Sequence, residues 1–156
     1  MTDTAVFRRL DLFAGLEESA LLRAVGELDA VVVPAGEEFD IAASGAVCGV
    51  VGGGRLALAF IAEEERERTI GMLEEGDVIV RPTDDWAAVG PRVRCFAIEE
   101  ALMHLVDRAR LEAWMHDPAL AANLVRVLSA QIADRELAVA IALEPRVERR
   151  LLLKLR

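Results

Sequence analysis

The chain divides by the period of its apolar residues. Over residues 10–28, Leu21, Leu22, Val25 and Leu28 recur at helical spacing, and Glu17 and Glu18 stand where a helix dipole favours carboxylates. A short amphipathic helix is predicted there. From about residue 30 to residue 107 the pattern changes to brief β-branched or apolar runs at 30–33, 46–51, 55–61, 69–73, 77–80, 93–98 and 101–106. Runs this short, punctuated by glycine and charge, predict antiparallel strands. Gly52-Gly53-Gly54, residues 63–68 and Glu74-Glu75-Gly76-Asp77 are the expected turns, and residues 83–90 a longer loop.

After Asp107 the helix formers Ala, Leu, Arg and Glu take over and glycine vanishes. Residues 108–115 predict a short helix that ends before Pro118. That proline fits the first turn of the next helix, with Asp117 as its N-cap. The second helix, about residues 118–143, carries two apolar series: Val125, Leu128, Ile132 and Val139, and Leu120, Leu124, Leu137 and Ile141. Two apolar stripes require two covers, one from the strand domain and one from another helix. A homodimer contact through Val125, Leu128, Ile132 and Val139 is therefore expected. Pro145 then interrupts the pattern, and residues 146–156 open a basic, leucine-rich helix that the sequence does not complete.

Composition narrows the class. With 156 residues, 54% of them hydrophobic, the chain can close one sizeable core with an appendage, but not two ordinary domains. Cys48 and Cys95 form no spaced disulfide framework, and the N-terminus lacks the apolar core of a signal peptide. No apolar run approaches the ~18 residues of a spanning helix. A reducing cytoplasm and no membrane partner are the expectation. The net charge of −9 opposes binding to a phosphate backbone by the chain as a whole. From Pro145 to Arg156, however, five basic residues face only Glu148, a local +4 that leaves −13 on residues 1–144. A different partner is expected at that end.

Several stretches carry a family resemblance when read in order. They are Leu12-Phe13-Ala14-Gly15-Leu16, Gly54-Arg55-Leu56-Ala57-Leu58, Leu73-Glu74-Glu75-Gly76-Asp77, residues 101–107, Pro118, Leu128-Ser129-Ala130-Gln131 and the run from Pro145 to Leu153. Together they resemble the effector domain and dimerisation helix of the CRP/FNR transcription regulators. The resemblance implies a mainly β fold with flanking helices: an antiparallel double-stranded β-helix, a jelly roll of cyclic-nucleotide-binding type, followed by a long C-terminal dimerisation helix. It implies an effector roll with its N-terminal helix over residues 1–107, the short helix and the dimerisation helix over 108–144, and over 145–156 the hinge and first helix of a truncated DNA-binding domain. Function follows as the sensory and dimerising part of a DNA-binding regulator, with DNA held by a winged helix-turn-helix absent here and an unknown small-molecule effector. The competing reading is a stand-alone ligand-binding or interaction module with no DNA role.

The same resemblance implies a degenerate pocket. Where cyclic-nucleotide-binding members hold the ribose with a glycine and a glutamate, this chain has Val80 and Arg81. A guanidinium only donates and cannot replace a carboxylate acceptor. Pro91 stands where the phosphate-binding arginine is expected, with Arg92 and Arg94 nearby, and Val139 and Ala140 replace the polar pair that would reach the purine. Cyclic AMP is not expected. If any ligand binds, Val80, Arg81, Arg92 and Arg94 are the candidate residues, and a solvated strand face is the plainer account of the arginines. His104, inside an apolar strand, reads as a structural histidine, with haem ligation as the other reading. Two cysteines cannot supply the four thiolates of an iron–sulfur cluster.

No catalytic site is expected. Asp84-Asp85 and Glu99-Glu100 are consecutive pairs, and neighbours on a strand point to opposite faces. The triple glycine precedes a strand and lacks the Lys-Ser/Thr of a phosphate loop. With no Tyr, two Trp and five Phe, an aromatic platform for single-stranded nucleic acid is not expected either.

Overall fold

The computed structural model describes residues 4–26, 28–41, 43–61, 67–80 and 92–143. Among these residues, helix α1 (Thr4–Phe7), a 3-10 turn (Asp11–Phe13) and helix α2 (Glu18–Val25) lead into the strands. These are β1 (Asp29–Val33), β2 (Glu38–Phe39), β3 (Cys48–Gly53), β4 (Leu56–Ile61), β5 (Glu67–Leu73), β6 (Val78–Val80), β7 (Arg92–Ala97) and β8 (Ala101–Val106). Helices α3 (Arg108–His116) and α4 (Pro118–Leu143) complete the order. The strands pair antiparallel in two sheets, β1-β8-β3-β6 and β2-β7-β4-β5. Strands close in sequence therefore alternate largely between the sheets, which is the winding of the expected jelly roll followed by a long helix.

The apolar runs of β3 and β8 are nearly continuous because the sheet containing them is covered on both faces. Val51, Ala101 and Met103 pack between the two sheets with Leu56, Leu58 and Leu73. On the other face, Cys48, Val50, Val78 and Val106 pack with Phe7, Leu12, Leu21 and Val25 of the N-terminal elements, Trp114 of α3, and Leu120, Leu124 and Val127 of α4. An aromatic series joins these layers. Trp114 meets Phe13 edge-on at 5.6 Å, Phe13 meets Phe7 at 5.5 Å, and Phe7 leans on the His104 ring at 4.5 Å.

Polar groups of the helices fix the N-terminal elements in place. Trp114 Nε1 donates to the carbonyl of Ala24 at 3.1 Å, and the Arg110 guanidinium donates to that of Gly26, so two orphan carbonyls at the end of α2 are satisfied. From α4, Asn123 Nδ2 donates to the carbonyls of Leu12 and Ala14, and Arg126 to that of Asp11. The expected cap is present: Asp117 Oδ1 accepts from the N–H groups of Ala119 at 3.0 Å and Leu120 at 3.2 Å.

Two local expectations change. The helix read over residues 10–28 is broken into the 3-10 turn and α2. The chain turns between them at Gly15, whose φ of +74° is left-handed backbone suited to glycine. Strand β3 runs through Gly52 and Gly53, and only Gly54 turns the hairpin. Gly52 is in the strand because nothing larger fits: a Cβ there would lie 2.5 Å from His104 Nε2. The loop at 83–90 and residues 145–156 lie outside the described residues.

Candidate functional site

Helix α4 is apolar on two sides, and the body of the protein covers only one. Leu120, Leu124, Val127 and Gln131 are buried against the N-terminal elements and the first sheet. Val125, Ile132, Val139 and Leu143 are left exposed, at 59%, 54%, 49% and 75%. The first three are spaced by sevens, the interval that keeps a seam facing a partner helix in a coiled coil. Leu143 was not singled out by its sequence pattern. It lies four residues after Val139, so a search for the second position of the heptad would have found it. Leu128 sits beside the stripe, half-buried against the core. Of the second apolar series, Leu120 and Leu124 are buried, Leu137 is exposed and Ile141 is half-buried. The body therefore fully buries no described side chain of α4 beyond Gln131, although Arg135 lies along Gly71 of β5.

The expected effector residues are distributed over both sheets. Val80 ends β6, pairs with Cys48 of β3 and packs toward the core beneath the N-terminal helices. Arg92 and Arg94 lie on β7 in the other sheet, opposite Ile61 and Ala59 of β4. Arg81 and Pro91 fall outside the described residues. Val139 and Ala140 are both exposed on the projecting part of α4.

A buried amide links α4 to the strand that leads toward this region. Gln131, 8% exposed, accepts a hydrogen bond at its Oε1 from the N–H of Val78, the first residue of β6, at 3.2 Å. Its Nε2 has no partner among the described residues. Gln131 appears in the sequence only as part of the Leu128–Gln131 stretch. Its one signal is an amide on the apolar face of a helix, where it must find a partner or cost free energy.

His104 is 7% exposed, and burial lowers its pKa below the ordinary value, so the ring is held neutral. Its Nε2 faces Gly52, where a Cβ would already be 2.5 Å away. A metal bonded there at ~2 Å would abut β3. His104 does not fit haem ligation. Cys48 and Cys95 are free thiols whose pKa values burial pushes up to about 12 and about 11, with Glu38 adding to the rise at Cys95. Neither has thiolate character at neutral pH. Among the described residues no helix is long and apolar enough to cross a membrane.

By sequence, the chain matches no family model and no curated protein. By structure it is similar to the catabolite activator protein of Thermus thermophilus, with 21% identity and a TM-score of 0.61 over 85% of this chain. The chain spans 62% of the length of that protein. It is also similar to a CooA mutant from Carboxydothermus hydrogenoformans, with 20% identity and a TM-score of 0.68 over 99% of this chain and 97% of that one. The haem domain of CooA from Rhodospirillum rubrum matches at 18% identity and a TM-score of 0.62, over 90% of this chain and 95% of that one. At these identities what is shared is architecture. The fold is that of the cyclic-nucleotide-binding-like domain of CRP/FNR-family regulators.

Proposed function

We propose that this chain is the sensory and dimerising part of a CRP/FNR-type transcription regulator, a homodimer with no catalytic role. The observation that carries the reading is the open stripe of Val125, Ile132, Val139 and Leu143 on a helix otherwise docked to its own domain. In water such a seam is covered by a second copy of itself more economically than by solvent. With α4 paired to its symmetry mate, the angle between the two helices sets the separation of whatever follows residue 143. In the proposed full-length protein this is a pair of winged helix-turn-helix heads, which must lie about one DNA turn, ~34 Å, apart to read two half-sites.

The roll is the sensing element, and its effector is something other than cyclic AMP. Val80, Arg81 and Pro91 stand at the positions that hold ribose and phosphate in cyclic-nucleotide-binding members, and none supplies the required group. Arg92 and Arg94 remain as cations on β7 for an anionic effector. His104, read as a structural histidine with haem ligation as the alternative, stands against Gly52 and Phe7, which speaks against haem as that effector.

The test is to express the gene past the codon for Arg156 and compare the product with residues 1–156 in a DNA-shift assay at physiological salt. The expected result is specific binding by the longer product alone. A stop codon at that point would instead favour a stand-alone module, and tight DNA binding by residues 1–156 would contradict the reading.

A further inference from the structure

A polar cleft lies away from strand β7. It has a volume of about 340 Å³ and opens where three elements meet: the segment before the 3-10 turn, the β5–β6 turn and the body-facing side of α4. Its polar walls are Arg9, Asp11, Glu75, Asp77, Gln131 and Asp134. Four carboxylates thus face one guanidinium. The volume equals roughly eleven water molecules at ~30 Å³ each, room for a ligand of about a dozen heavy atoms.

Two observations show that this wall is incomplete as it stands. Gln131 is more than nine-tenths buried and lines the cleft, yet its Nε2 has no acceptor among the described residues, while its Oε1 is held by Val78 N–H. A buried donor left without a partner costs about 1–3 kcal/mol. Asp77 is half-buried, and its carboxyl is raised above its ordinary value, first by burial and further by Glu74 and Asp134, against the Glu74 N–H bond and the Arg135 charge, which lower it. The backbone N–H of Glu74 satisfies one of its oxygens at 2.8 Å. The cleft therefore has an unused donor buried in one wall and four carboxylates on the others, against Arg9 in the cleft and Arg135 beside Asp77.

We propose that this cleft binds a small organic ammonium ion that also carries a hydroxyl or carbonyl oxygen. The ammonium is taken by Asp77 and Asp134, with Asp11 and Glu75 adding to the negative field at the rim. The oxygen accepts from Gln131 Nε2. A metal ion alone answers the arrangement less well, because an amide N–H cannot ligate it and, among the described residues, no three His, Cys, Asp or Glu side chains converge as a metal site needs. The ligand would bridge α4, the β5–β6 turn and the N-terminal segment. Its binding does not depend on whether the chain belongs to a DNA-binding regulator.

The experiment is a two-dimensional amide NMR titration of the whole 156-residue chain near neutral pH. The probes are ethanolamine and glucosamine, with ethylene glycol and glucose as uncharged counterparts. Saturable shifts of the Gln131 side-chain NH₂ and of the Gly76 and Asp77 amides are expected with the amines only. Asp134→Asn, an exposed change that leaves the core intact, should weaken amine binding about tenfold. Lowering the pH through the raised Asp77 titration should weaken it too. Equal shifts with glucose, no saturable shift with either amine, or unchanged affinity in Asp134→Asn would overturn the proposal.

Discussion

The two long faces of α4 are similarly apolar and sit in opposite surroundings. On one, Leu120, Leu124 and Val127 complete a core shared with α1, α2, α3 and the first sheet. On the other, Val125, Ile132 and Val139 meet water. Up to Gln131 the helix belongs to its domain. Beyond it a further twelve residues, about 18 Å at 1.5 Å per residue, carry no buried side chain among those described, with Arg135 half-buried along Gly71 of β5. Hydrophobicity alone therefore does not say what a stripe packs against. The neighbouring polar groups do: Asn123, Arg126 and Gln131, which bond to the backbone of the body, all lie on the docked part.

Substitutions on the docked face should give the largest effects. Leu124→Ala opens a cavity between α4 and the N-terminal elements and should cost about 2–5 kcal/mol in urea unfolding, whatever the association state. Ile132→Ala on the open face should leave the unfolding of an isolated chain within about 0.5 kcal/mol. Equal losses from the two would erase the distinction between the faces.

At the boundary, Gln131→Leu keeps the volume but removes the acceptor of a buried N–H. The freed N–H costs about 1–3 kcal/mol and loss of the unpartnered Nε2 returns a similar amount, so unfolding should change by less than about 1 kcal/mol while amide exchange at Val78 accelerates. Unchanged exchange at Val78 would mean that the amide does not tie β6 to the helix.

The smallest effect is a pH dependence remote from α4. The folded-state pKa of His104 is depressed by burial, so the unfolded chain binds the proton more readily. The stability this gives is present above the ordinary histidine value of about 6.5 and is lost as pH falls through the lower folded value. His104→Leu should remove that acid-side slope. If the slope persists in the variant, it belongs to other groups.

Much of this architecture was legible because its signals are local. Seven of the eight strands coincide with apolar runs, and Asp117-Pro118 marks the start of α4 by cap chemistry. Strand β2 was not legible, since Glu38–Phe39 is too short to show a period of two, and neither was the four-residue α1. Gly52 reads as a turn residue because its reason for being glycine, the His104 ring, lies 52 positions away in sequence. The open stripe was legible as Val125, Ile132 and Val139. The cleft around Gln131 was not, because its walls come from three distant segments whose juxtaposition only the fold creates.

The central claim is that the open face of α4 is a seam for a second copy. Sedimentation equilibrium of residues 1–156 at micromolar concentration tests it directly, beside the double variant Ile132→Glu, Val139→Glu. The account predicts twice the chain mass for the unaltered protein and the single-chain mass for a folded variant. A single-chain mass for the unaltered protein, or a dimer that survives both glutamates, would contradict it.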